Sequence, residues 1–349
     1  MTALKSIYTL AESGLIAPRR LPALEEVAQR YAVALTETVV NLIDRADPFD
    51  PIARQFVPSE RELHVTPGER IDPIGDVTHS PVPGIVHRHR DRALFKLVNA
   101  CPVYCRFCFR RETVGQAGER ALLPENFAQA VDYIAAHPEI WEVIMTGGDP
   151  FVLAPRRIAE VSTRLATIDH VKLLRWHSRV PVVDPARIDD EMIAALHAPG
   201  ATTVVALHVN HPRELSAAAR HAIARLADAG IPLVSQTVLL RGINDDISTL
   251  EVLMRTFLEC RIKPYYLHHP DLAPGTSHFR VTIDEGLTLI RALRARLSGL
   301  AVPTYLLDIP GGYAKVPLET RDVEKTGTGW RIRDHEGHWH IYPPVDPAG

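Results

Sequence analysis

Glu142-Val-Ile-Met-Thr-Gly-Gly-Asp149 is a short apolar run that stops at a glycine pair and a carboxylate. The amphipathic stretch IAEVSTRLATI follows it, and a second run of the same kind, VKLLRWHSR (171–179), comes next. The rhythm extends in both directions. Upstream lies ALFKLVN (93–99); downstream lie TTVVALHVN (202–210), PLVSQTVLL (232–240) and KPYYLHHPD (263–271). FAQAVDYIAAH and ELSAAARHAIARLADAG fill two of the gaps with helical spacing. Strand-length runs alternating with amphipathic segments predict βα units around a parallel sheet. A seventh run, VPTYLLDIPGG (302–312), follows the last long helix, expected at about 284–298.

The flanks read differently. Leu24, Val27, Tyr31, Leu35 and Leu42 give residues 22–46 helical spacing, broken by proline and acidic residues around Asp47 to Pro51. A polar, Pro-rich connector runs on to about His87. After Val316 the tail ends in GWRIRDHEGHWHIYPP, which predicts a hairpin turning near His335-Glu336-Gly337. His335, His338 and His340 read as solvated hairpin side chains, with metal binding as the competing reading. Three segments are expected: a helical extension and connector (1–86), the barrel (87–318) and a tail with a hairpin (319–349).

At 349 residues the chain accommodates one large barrel or two ordinary domains. Chains of about this length bury roughly three quarters of their unfolded surface. Basic residues (39) nearly balance acidic ones (42), for a net charge of −3, so no broad basic field argues for nucleic acid or membrane. MTALKSIYTLAESGLIAPRR lacks a signal-peptide apolar core, and no run approaches membrane-spanning length. Four cysteines without a signal imply a reducing compartment, so a cytoplasmic protein is expected. Cys260, alone in FLECRIK, reads as a buried apolar side chain.

Chemistry-bearing residues recur just after the strand-like runs. Cys101 follows the first, Gly147-Gly148-Asp149 the second and His177-Ser178-Arg179 the third. His208 and Asn210 end the fourth, Gln236 lies in the fifth, Asp271 ends the sixth and Asp308 the last. Barrel enzymes build their sites at the C-terminal ends of their strands, so these side chains should converge on one mouth. Any one of them read alone is as well explained by a core or loop role. The most specific element is Cys101-Pro-Val-Tyr-Cys105-Arg-Phe-Cys108, a C-x3-C-x2-C spacing. Three thiolates there can hold three irons of a [4Fe-4S] cube and leave the fourth open to a small molecule. A three-cysteine zinc site is the rival, but zinc would want a fourth ligand nearby.

This motif resembles that of the radical S-adenosylmethionine enzymes. From about Val82 to Leu318 the chain also resembles one family within them, lysine 2,3-aminomutase and its relatives. HRHRDRALF, CPVYCRFCFRR, the GGDP turn, HSRVPVVDPARI, HVNHP, QTVLLRGIND, PYYLHHPDL…GTSHFR and DIPGGYAKVPL carry it, in that order. The resemblance implies an α/β fold, a partial (β/α)6-type TIM barrel with a helical N-terminal extension and a short C-terminal hairpin. It implies a [4Fe-4S] cluster on Cys101, Cys105 and Cys108, S-adenosylmethionine, pyridoxal 5′-phosphate and an external electron donor. Moving an amino group between unactivated carbons lies beyond acid–base chemistry, and such cofactors carry it while the protein supplies position and dryness.

Roles follow from the same resemblance. Lys315 in DIPGGYAKVP matches the family's pyridoxal phosphate lysine, and Arg88 and Arg92 match its phosphate-binding arginines; guanidinium forks suit phosphate oxygens. Arg110 matches the arginine that pairs with the substrate carboxylate. Asp271 and Asp308 match the aspartates that hold the distal ammonium of lysine, a placement that fits the cost of burying an unpaired charge. Phe107 falls where a ring meets adenine, Gly147, Gly148 and Asp149 at the turn supporting the amino group of S-adenosylmethionine, and Gln236 at another contact. His89 and His268 replace tyrosines near the cofactor.

Two departures qualify the resemblance. No cysteine follows Cys260, and Asp246 stands where the lysine-fermentation enzymes keep a zinc-site cysteine, so no zinc is expected and a homo-oligomer stays open. His268 and the short tail resemble the branch that supplies β-lysine for modifying elongation factor P, whereas Asp308 and DIPGG resemble the metabolic enzymes. The expected activity is L-lysine to β-lysine isomerisation. Arginine as substrate is the rival; a cluster-binding protein without turnover and a radical enzyme modifying RNA or protein are less supported.

Overall fold

A computed structural model describes residues 3–116, 121–319, 323–327, 329–334 and 337–342. Its frame is a nine-stranded sheet in strictly sequential order. The strands are β1 (Ile85–His89), β2 (Arg92–Val98), β3 (Glu142–Gly147), β4 (Leu173–Ser178), β5 (Thr202–His208), β6 (Leu233–Val238), β7 (Ile262–His268), β8 (Thr304–Asp308) and β9 (Lys315–Pro317). From β2 to β8 every pairing is parallel, and β1 and β9 close the two ends antiparallel. The expected six βα units are present, and the seventh run extends the sheet as β8.

The sheet curls until its ends meet. β1 and β8 are far apart in strand order, yet Arg88 Nη2 on β1 lies 3.3 Å from Asp308 Oδ1 on β8. No pairing joins β1 to β9 among the described residues, so the barrel stays partial. Alternation along the strands explains how the lumen becomes polar. On β2, Ala93, Phe95 and Leu97 are buried in the core beneath the helices, while Arg92 and Leu94 line the lumen. On β4, Leu174 and Trp176 join the core while Arg175 and His177 point inward. The period of two sorts the sequence into a helix-facing apolar set and a ligand-facing set.

The crossover helices start where their caps dictate. Asp246 accepts from the Thr249 amide at 2.9 Å and opens the helix Ile247–Glu259. Thr282 and Glu285 form a capping box on Ile283–Arg296. Position 246 thus carries a helix cap in this chain. Cys260, at the C-cap of the helix that Asp246 opens, is buried in the core as expected.

Residues 22–46 do not form one helix. Leu21–Arg30 and Glu37–Leu42 are separated by an extended stretch. Leu35 leaves the helix to bridge Leu4, and the Ala34 carbonyl accepts from the Tyr104 amide at 3.1 Å, inside the cysteine segment. β1 straddles the boundary between connector and barrel: only its first two residues are apolar, Ile85 in the core and Val86 in the lumen, too few to give an apolar period. Ile7, Leu10, Leu24, Val27 and Tyr31 share one continuous core with the barrel. The tail forms a separate antiparallel sheet of β10 (Val323–Thr326), β11 (Gly329–Arg333) and β12 (Trp339–Tyr342). β11 and β12 are the expected hairpin; His335 and Glu336 of its turn lie outside the described residues. His338 and His340 are exposed. Among the described residues no helix is long and apolar enough to cross a membrane.

Candidate active site

A cavity of about 260 Å³ occupies the lumen at the C-terminal ends of the strands. Every residue given a role by the family resemblance lines it: the three cysteines, Arg88, His89, Arg92, Phe107, Arg110, the Gly147-Gly148-Asp149 turn, Gln236, His268, Asp271, Asp308 and Lys315. Asn210, which also ends a strand-like run, does not. It is fully buried in a polar network with Gln55, Val238 and Asn244.

The cysteine segment follows β2 and is fastened from below by the N-terminal extension. Glu62 is fully buried and receives Arg106 Nη2 at 2.5 Å together with Arg111. Burial pushes its carboxyl up, but the two guanidinium charges outweigh that and hold it low. The Arg106 amide donates to the Gln55 carbonyl at 2.8 Å. Arg179, beyond the end of β4, donates Nη1 to Cys105 Sγ at 2.8 Å and Nη2 to Glu214 at 2.6 Å. Burial raises all three thiols, and the neighbouring thiols raise Cys101 and Cys108 further, so the bare thiols hold their protons. Among the described residues no three His, Cys, Asp or Glu side chains stand close enough to hold a single metal ion. A cube takes its three cysteines on three different irons, so wider spacing is what it requires.

The GGD turn seats against this segment. A Cβ on Gly148 would lie 2.3 Å from the Ala100 carbonyl oxygen, so only glycine permits the approach. Asp149 Oδ1 accepts from Ser178 Oγ at 2.8 Å and the Phe151 amide at 3.0 Å. Oδ2 accepts from the amides of Arg179 (2.7 Å) and Val180 (3.2 Å). A carboxylate offers about four acceptor positions, and these are filled. Asp149 therefore ties the turns after β3 and β4 together.

On the opposite wall, antiparallel pairing sets Lys315 directly across from Asp308. Lys315 Nζ is 2.9 Å from Asp308 Oδ2, and His268 Nδ1 is 3.7 Å from the same oxygen. Burial works to raise Asp308, but His268 and the charge of Lys315 prevail and hold its carboxyl far below the usual range. Burial also lowers Lys315 below an ordinary lysine despite Asp308. Asp271 has no hydrogen-bond or ion-pair partner among the described residues. Burial, reinforced by the charge of Asp308, pushes it up to about 7. His89 and His268 are both lowered to about 4, chiefly by burial and then by Arg92 and Lys315 respectively.

A loop of the extension completes the wall. The Gly311 amide donates to the Pro73 carbonyl at 2.9 Å, and a Cβ on Gly312 (φ +82°) would meet the Ile74 carbonyl oxygen at 2.6 Å. This interlock brings Asp76 to Arg110 Nε at 2.8 Å, while Arg110 Nη1 donates to Thr146 Oγ1 at 3.2 Å. Arg88 donates Nη1 to the Ile74 carbonyl at 2.6 Å, and Arg92 pairs with exposed Asp91 at 2.7 Å. Asp76, Arg175 and Tyr266 escaped the reading of the sequence. Arg175 and Tyr266 sit at inward positions of β4 and β7, which strand alternation could have flagged, whereas nothing local marks Asp76.

Comparison with known proteins agrees with this geometry. A model of the Radical SAM superfamily matches residues 95–253. The L-lysine 2,3-aminomutase of Clostridium subterminale is 38% identical over 318 residues, which cover 89% of this chain and 75% of that protein. The L-lysine 2,3-aminomutase of Escherichia coli is 35% identical over 306 residues, covering 87% and 88%. The glutamate 2,3-aminomutase of Clostridioides difficile is also similar, at 33% over 338 residues, covering 95% and 78%. Identity at this level along most of both chains, with the matched motif residues drawn into one lumen, means that the chain belongs to the lysine 2,3-aminomutase family, isomerases of the radical S-adenosylmethionine superfamily.

Proposed function

We propose that this enzyme converts L-lysine to β-lysine, exchanging the α-amino group with a hydrogen on the β-carbon. The observation that carries the choice of substrate is the carboxylate pair. Asp271 and Asp308 share one cavity, and Asp271 has no cation of its own among the described residues. Two acids facing one lumen, Asp308 buried and Asp271 half-buried, accommodate a positive side-chain end and repel an anionic one. A glutamate side chain would meet both of them, so this feature argues against the glutamate reading despite the similar relative.

In this reading Cys101, Cys105 and Cys108 hold a [4Fe-4S] cluster, reduced by an external one-electron donor. Phe107, Gly147, Gly148 and Gln236 flank S-adenosylmethionine. Lys315 and the arginines Arg88 and Arg92 hold pyridoxal phosphate, with His89 and His268 beside it. The donor sets fit: three thiols converge on one lumen, a half-buried amine of lowered basicity sits opposite, and Arg88 Nε has no hydrogen-bond partner among the described residues. When bound, these groups supply radical generation and a carrier for the migrating nitrogen, chemistry that no side chain here offers. Arg110 binds the substrate carboxylate. Asp271 and Asp308 orient the distal ammonium, and the apolar walls, including Phe107, Leu94 and Ile144, exclude water from the reacting carbons.

Anaerobic incubation with reductant, S-adenosylmethionine, pyridoxal phosphate and either lysine or arginine, followed by chromatography of the products, tests the proposal. β-Lysine as the principal product is expected; unchanged lysine would remove the reading, and faster turnover of arginine would favour its rival. The likeness of His268 and the short tail to the elongation factor P branch supports a role in supplying that modification. Mass spectrometry of elongation factor P from cells lacking this enzyme should then show the β-lysyl group missing.

A further inference from the structure

His177 lies at an inward position of β4 and lines the lumen. Met145 on β3 pairs with Trp176 on β4, so the next residues along, Thr146 and His177, are neighbours on adjacent strands. Thr146 Oγ1 accepts from Arg110 Nη1, which places the imidazole on the same side of the cavity as that guanidinium. Neither ring nitrogen of His177 has a hydrogen-bond partner among the described residues, and Nε2 is closed off from solvent. Burial, then the charges of Arg175 and Lys315, keep the ring neutral. A neutral imidazole always carries one N–H donor, and an unmet donor in a closed site is costly.

Arg110 by itself under-serves a carboxylate. Asp76 occupies its Nε edge and Thr146 takes one N–H of Nη1, so a bound carboxylate meets only the remaining edge. A carboxylate offers about four acceptor positions, and a single guanidinium edge fills two at most. We propose that His177 is a substrate-binding residue whose ring N–H donates to the carboxylate of the bound amino acid, alongside Arg110. The inference rests on the aminomutase reading above and deepens it. Arg110 supplies charge and His177 a directed neutral donor, so the site selects a free amino acid and rejects a lysyl residue whose carboxyl is tied up in an amide.

Isothermal titration of anaerobically reconstituted holoenzyme with L-lysine and with L-lysinamide tests it, using wild type, His177→Ala and His177→Gln. His177→Ala should weaken lysine binding about tenfold and leave lysinamide within about twofold, the size of one hydrogen bond to a charged group. His177→Gln should recover part of the loss, because its amide N–H can donate. Equal iron and pyridoxal phosphate contents report an intact fold. The inference is overturned if lysine and lysinamide weaken together or if neither weakens. Loss of pyridoxal phosphate from both variants also overturns it, since the ring would then serve the cofactor. Wild-type enzyme that binds no lysine would instead remove the proposed function, and this inference with it.

Discussion

Asp271 and Asp308 lie in one cavity, and their carboxyls are displaced from the ordinary value in opposite directions. Asp308 ionises early because Lys315 and His268 outweigh the cost of its burial. Asp271, lacking its own cation, holds a proton up to about pH 7. If Asp271 binds the distal ammonium as proposed, it must be ionised to do so, and below about pH 7 lysine affinity should fall roughly tenfold per pH unit, flattening above it. Asp271→Asn should lose both the slope and most of the affinity, measured as KM across pH 5.5 to 8.5, a range chosen around that value of about 7. For stability the sign reverses between the two acids. The raised value of Asp271 stabilises the fold below its unfolded value of about 4, and that contribution is lost as pH rises through about 7. The lowered value of Asp308 contributes above its unfolded value and is lost as pH falls. Lys315→Ala should abolish covalent attachment of the cofactor: after borohydride treatment the wild-type chain should gain the mass of pyridoxal phosphate and the variant should not.

Between elements, the fit of the site depends on contacts far apart in sequence. The extension holds the cysteine segment through Glu62, which serves Arg106 and Arg111 at once. Glu62→Gln leaves two buried guanidinium groups without their anion, at a cost of about 3–5 kcal/mol. A lower denaturation midpoint and less iron retained after reconstitution should result; unchanged iron content would mean that the segment holds its shape unaided. The interlock of the 72–76 loop with the turn before β9 makes a similar claim on glycine. Gly312→Ala adds a Cβ at 2.6 Å from the Ile74 carbonyl oxygen and strains a residue at φ +82°. The cost is about 1–3 kcal/mol, and pyridoxal phosphate retention should fall with it, since β9 carries Lys315.

At the scale of the molecule, the extension and the barrel share one apolar core. A chain lacking residues 1–80 should therefore fail to give a folded barrel, which circular dichroism and a cooperative melt would report; a cooperative melt in the truncated chain would sink this claim. Much of the site was legible beforehand because its signals are local. The C-x3-C-x2-C spacing, the GGD turn and the lysine after a glycine pair each sit within a few residues, and the alternation of apolar runs with amphipathic stretches specifies a parallel sheet by periodicity alone. Strand β1 was not legible, since only Ile85 and Val86 of its five residues are apolar and Arg88 breaks the period. The break in the helical pattern at Tyr31 was not either, because Leu35 is drawn to Leu4 and Ala34 to Tyr104. Chain chemistry by itself determined which ligand types are present and the order of the strands. Only the curled sheet decided who faces whom: Arg88 reaches Asp308 across 220 residues, and Glu62 reaches Arg106 across 44. Such pairings follow from closure of the lumen and burial of charge, and no window of sequence contains both partners.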